Sequence, residues 1–159
     1  MLAEAQMNKV IQDEIIVSTN LIRKISYVIT LRLSSESNFI NQALLFEEIY
    51  NIYSNLYFYS NISHSTLILS LIYIDRLIQN GKLDFTLVNY QSVISCTLLI
   101  AGKFNDDCFN GSNFSKILNF SRRKLAALEN EMLSLIEYRL YVDKIVFSQY
   151  WNHLNTIKS

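Results

Sequence analysis

Not one proline interrupts the 159 residues of this chain, and glycine occurs only three times. With so few residues that break backbone regularity, a turn-rich β fold is disfavoured and long helices become the default. Apolar periodicity supports that reading. Over residues 6–33 the positions Val10, Ile11, Ile15, Leu21, Ile22, Ile25, Val28, Ile29 and Leu33 fall mostly at spacings of three and four, which predicts an amphipathic helix. A polar break follows at Ser34, Ser35, Glu36, Ser37 and Asn38, and residues 39–59 form an aromatic-rich helical segment. Ser63 is suited to cap the next helix, with Ile62 and Leu67 placed as a hydrophobic staple. From Leu67 to Leu77 that helix is apolar almost all round, so it should lie at the centre of a bundle and stop at Asn80-Gly81. Residues 88–107 are a second apolar run that ends abruptly in Lys103, Phe104, Asn105, Asp106 and Asp107. A short helical piece at 114–119 precedes a helix opened by Ser121, with Leu125, Leu128, Met132, Leu135 and Ile136 turned inward. Arg122, Arg123 and Lys124 occupy its first turn, against the helix dipole. Residues 142–159, with Phe147, Tyr150, Trp151 and Leu154, read as a closing amphipathic helix.

A chain of this length forms one domain with a real core. Ten tyrosines and nine phenylalanines within a 50% hydrophobic composition exclude a disordered chain. Fourteen basic residues balance fourteen acidic ones, so the overall positive charge that nucleic-acid binding draws on is missing. The longest apolar run, 66–74, is too short to span a bilayer, and the N-terminus lacks the uninterrupted apolar stretch of a secretory signal. The chain therefore reads as intracellular, and its two cysteines agree: Cys96 lies on an apolar helix and Cys108 in a polar loop without a spaced partner. Catalytic constellations are also missing. Neither His64 nor His153 stands at metal-ligand spacing to other donors, Gly81, Gly102 and Gly111 stand singly, and Asp106-Asp107 reads as a solvated pair. The expectation is a non-enzyme with no cofactor and no metal.

Two motifs end successive helices: Tyr73-Ile74-Asp75-Arg76, then Ala101-Gly102-Lys103-Phe104-Asn105-Asp106-Asp107. Together with Glu129 in Leu128-Glu129-Asn130-Glu131-Met132-Leu133, this set resembles a cyclin box, and the Lys-Phe-x-Asp-Asp ending is most similar to P- or U-type cyclins of phosphate signalling. The resemblance covers about residues 13–140. It implies an all-α fold with a single cyclin-box bundle of about five helices over 38–140, an N-terminal flanking helix and linker over 1–37, and a C-terminal helix over 141–159. It also implies a regulatory subunit, cytoplasmic or nuclear, that binds a cyclin-dependent protein kinase and holds it active. Lys103 and Glu129 would hydrogen-bond backbone groups around the kinase's movable helix, with Ile100, Phe104, Leu133, Tyr138 and Leu140 as apolar contacts and Asp106 and Asp107 beside them. No nucleic acid, membrane or small-molecule substrate is implied. Many cyclins pair the aspartate at Asp75 with an arginine of the first box helix. Residues 39–62 hold no basic side chain, so Asp75 is expected to lack that partner, and Asp75 and Arg76 are expected to be structural. The substrate-docking apolar motif of cell-cycle cyclins is also missing. Two other readings stay open: a cyclin-fold adaptor that works without a kinase, which should carry a basic face, and a helical bundle that holds a small apolar ligand.

Overall fold

The computed structural model describes residues 1–34 and 41–158. The expected break at Ser35, Glu36, Ser37 and Asn38, with Phe39 and Ile40, lies outside them. Among the described residues the chain is all-helical: α1 (Leu2–Ser34), α2 (Gln42–Tyr59), α3 (His64–Gln79), α4 (Tyr90–Asn105), a 3-10 turn (Gly111–Asn113), α5 (Phe114–Leu118), α6 (Arg122–Leu135) and α7 (Lys144–Thr156).

Helix α3 is the axis of the bundle, packing against α1, α4 and α7. Every residue from Thr66 to Asp75 is buried, as its all-round apolar composition requires. Ser63 caps it, its hydroxyl accepting from the Thr66 N–H, and Gly81 ends it in the left-handed region at φ +64°. Its main neighbour α4 is buried without interruption from Val93 to Gly102. Cys96 lies within that run, and burial pushes its thiol up to about 12.

In three places the structure departs from the expectations. The apolar stripe of α1 is buried only from Ser18 onward, and Val10, Ile11 and Ile15 are exposed. The reason is length: the 33 residues of α1 run about 50 Å whereas the 16 of α3 run about 24 Å, so the first half of α1 extends past the bundle. In the closing helix, Leu154 is buried and Phe147 and Tyr150 pack against the core, but Trp151 faces outward.

The third departure concerns Asp75, which does have an arginine. Arg32, near the end of α1, donates from Nε to Oδ1 at 2.5 Å and from Nη2 to Oδ2 at 2.8 Å. Tyr150 of α7 adds its hydroxyl to Oδ2 at 2.8 Å. The counter-ion comes from the flanking helix rather than from residues 39–62. Its neighbours in the motif are equally engaged: the Tyr73 hydroxyl donates to the Leu140 carbonyl at 2.7 Å, and Arg76 Nη1 to the Arg139 carbonyl at 2.8 Å. Tyr73, Asp75 and Arg76 thus fasten α1, α7 and the segment after α6 onto the end of α3. Burial raises the phenols of Tyr73, to about 12, and of Tyr150, so both keep their protons as donors at neutral pH.

Candidate functional site

The C-terminal end of α4 emerges from the core beside the start of α3, and the polar residues there are tied down. Asp106 caps α4 through its N–H to the Gly102 carbonyl at 3.0 Å. Its Oδ2 accepts from the Ser63 N–H at 3.1 Å and from the Thr66 hydroxyl at 2.6 Å. This carboxylate, expected among the kinase contacts, lies on the N-terminus of α3, where the helix dipole favours an anion. Asn105 donates its amide to the hydroxyls of Ser65 at 2.9 Å and Thr66 at 3.0 Å.

The loop after α4 folds back over that helix. Phe109 packs on Gly102, where an added Cβ would stand 2.5 Å from the ring, and meets Phe114 edge-on at 5.7 Å between centroids. The Asn110 N–H donates to the Ser60 carbonyl at 3.1 Å, and the Asn113 amide to the Tyr59 carbonyl at 3.0 Å.

Against this fixed base, Lys103 reaches α6. Its Nζ donates to both carboxylate oxygens of Glu129 at 2.9 Å, joining residues from two helices. The Glu129 side chain is only 17% exposed and that of Lys103 is 53% exposed, so the ammonium faces solvent while the carboxylate sits in the wall. The pair borders a cleft of about 330 Å³ whose apolar lining includes Leu99 and Leu125, with Ser112, Ser115 and Arg122 around it.

The other expected residues spread from this point. Ile100 is buried and shapes the core, whereas Phe104 and Asp107 are exposed next to Lys103. Leu133, one turn beyond Glu129, is half-buried. Tyr138 and Leu140 border a second hollow past the end of α6, with Arg76 and Ile136. Tyr138 is 68% exposed, and the backbone holds it there: Glu137 and Tyr138 both take positive φ, at 58° and 55°. Two successive non-glycine residues in that region are strained and need outside restraint. Lys82 pairs with the Glu137 carboxylate, and Arg139 approaches it at 3.2 Å. The hydrogen bond from Lys82, with the charges of Lys82 and Arg139, lowers the Glu137 pKa.

A protein-family model described as Cyclin matches residues 8–140. The chain belongs to the cyclin family. Among its relatives, cyclin-P2-1 of Oryza sativa subsp. japonica is 30% identical over 97 residues, covering 60% of this chain and 45% of the rice protein. Cyclin-U2-1 of Arabidopsis thaliana is 32% identical over 98 residues, covering 60% and 44%. This cyclin therefore spans a little under half the length of the curated relatives it matches. No solved structure matches it significantly.

Of the residues that line the cyclin's cleft, sequence reasoning expected only Lys103 and Glu129, and Arg122 is the charged one it missed. The signal was present, since a cation in the first turn of α6 opposes the dipole, but only the fold brings it beside Lys103. Its neighbour Lys124 resolves the same conflict locally, its Nζ 3.9 Å from the centre of the Phe120 ring. His64 proves to be a tethered residue: its Nε2 and the Tyr57 hydroxyl each lie 2.8 Å from Ser18 Oγ. Ser18 Oγ also donates to the Glu14 carbonyl at 2.9 Å, so this hydroxyl ties α1 to the end of α2 and the start of α3. Among the described residues no three His, Cys, Asp or Glu side chains converge as a metal site, and no helix is long and apolar enough to cross a membrane.

Proposed function

We propose that this cyclin is the regulatory subunit of a cyclin-dependent protein kinase, and that it activates the kinase by holding its movable helix in the active position. The observation that carries the reading is the Lys103–Glu129 pair at the edge of an apolar cleft, on two helices braced by the core. In the free chain each group satisfies the other. When a kinase segment docks, the ammonium can donate to backbone carbonyls and the carboxylate can accept amide protons, and such charge-assisted bonds are about twice as strong as neutral ones. Phe104, Leu133, Tyr138 and Leu140 supply apolar contact, Ile100 supports them from within, and Asp107 lies on the exposed rim. Asp106 acts by fixing the α4 tip. A kinase whose active form alone fits this surface is shifted toward that form by the difference in affinity. The box is proposed to span 38–140, between a flanking 1–37 and a closing 141–159, with Arg32 crossing the first boundary. Such a subunit would act in the cytoplasm or nucleus.

The test is reconstitution with purified cyclin-dependent kinases. A cognate kinase should gain activity with the wild-type chain, and the Lys103→Ala/Glu129→Ala variant, folded with an unchanged helical spectrum, should lose binding and activation. Full activation by that double variant would refute the mechanism.

A further inference from the structure

A third cleft lies away from Lys103 and Glu129, between α1, α2 and the end of α7. It encloses about 530 Å³ and is lined by Arg23, Lys24, Tyr27, Phe46, Ile157 and Lys158. That volume is in the range of ordinary ligand sites, about 300–1,000 Å³. Two features define its charge. The chain carries no net charge, yet three cations meet here and, among the described residues, no acidic one lines the cleft. Glu47, next to Phe46 in sequence, is not part of the lining. Among the described residues none of the three cations forms an ion pair, so their charges are open to a ligand.

The lining between the cations is apolar and aromatic. Phe46 stacks on Tyr50 at 6.2 Å between centroids, and Arg23 lies over the Tyr50 ring at 5.6 Å. A guanidinium held across a ring loses little freedom on binding an anion, and its N–H edges remain available. Ion pairs made beside apolar surface are also stronger than those in open water, because the effective dielectric is lower. A small free anion would use the cations and leave Tyr27, Phe46 and Ile157 wet. A neutral apolar group would do the reverse. The complementary ligand carries both.

We propose that this cleft docks an acidic linear segment of a partner protein: one bulky apolar or aromatic side chain between Tyr27, Phe46 and Ile157, flanked by carboxylates that meet Arg23, Lys24 and Lys158. The site is independent of the kinase-binding reading and uses none of its residues.

The test is fluorescence anisotropy on the full chain with a labelled peptide of one tryptophan flanked on each side by two aspartates. Saturable binding is expected, weakened about tenfold when the aspartates become asparagines, and about tenfold when the tryptophan becomes alanine. Added salt should weaken it further. The Lys24→Glu/Lys158→Glu variant should lose at least about tenfold in affinity, while Lys116→Glu on α5 leaves it unchanged. Nuclear magnetic resonance shifts on the wild-type chain, read at Tyr27 and Phe46, give a readout that does not depend on any variant folding. The proposal is overturned if the acidic peptide does not bind, if the asparagine peptide binds equally well, if the double charge reversal has no effect, if the shifts fall elsewhere, or if a second copy of the chain covers the cleft in solution.

Discussion

Replacing Arg32 with methionine tests how α1 is joined to the bundle. The substitution keeps most of the aliphatic stem and removes two charge-assisted bonds to Asp75, at 2.5 and 2.8 Å, leaving the carboxylate with the Tyr150 hydroxyl. The Asp75 side chain is 8% exposed, so water cannot readily replace the guanidinium, whereas Arg32 is itself 33% exposed. Breaking a fully buried pair costs about 3–5 kcal/mol. The partial exposure of Arg32 brings the expected loss to about 2–3 kcal/mol, still several times the effect of an ordinary surface change. In urea, with a slope of about 2 kcal/mol/M, the unfolding midpoint should fall by about 1–1.5 M with the slope unchanged. Asp75→Asn closes the cycle: the double variant should be more stable than the sum of the single losses predicts, by at least about 1 kcal/mol, because the neutral amide no longer needs a cation. If Arg32→Met unfolds within about 0.5 kcal/mol of wild type, or if the two changes simply add, the ion pair does not join α1 to α3.

Two further outcomes follow from the geometry of the α4 tip and the turn after α6. Gly102→Ala should destabilise the chain by about 1–3 kcal/mol despite the better helix propensity of alanine, because its Cβ displaces the Phe109 ring; a stabilised variant would contradict that packing. The lowered pKa of Glu137 means that its pairing with Lys82 is fully present above the ordinary carboxylate value of about 4.3 and is lost as pH falls through the lower folded value. A resonance titration of the Glu137 carboxyl should therefore show a midpoint below that value, moving upward in Lys82→Met, and an unmoved midpoint would sink the clamp.

What the sequence disclosed depended on how local the cause was. Ser63, Ser121 and Gly81 act within a turn of their own positions, so these helix ends could be read directly. The depth of α3 followed from its lack of any polar stripe. The meeting of Lys103 and Glu129 was accessible only as a resemblance, because nothing in the spacing of either helix dictates how α4 and α6 face each other. Arg32 was not legible as the partner of Asp75 because the resemblance puts that arginine in the first box helix, whereas the flanking helix passes the same spot. The exposure of Val10, Ile11 and Ile15 was equally hidden: periodicity marks an apolar face but not whether another element of the chain is long enough to cover it. Arg122 and the cations around Phe46 were visible as residues but not as neighbours, since clefts belong to the packing of elements.

Asp106 closes one helix with its backbone and opens another with its side chain. The last turn of α4 therefore cannot fray by itself: to move, it must drag the first turn of the most deeply seated helix with it. A lysine launched from such an anvil meets its target with its root already fixed, so that little ordering is left for the moment of contact.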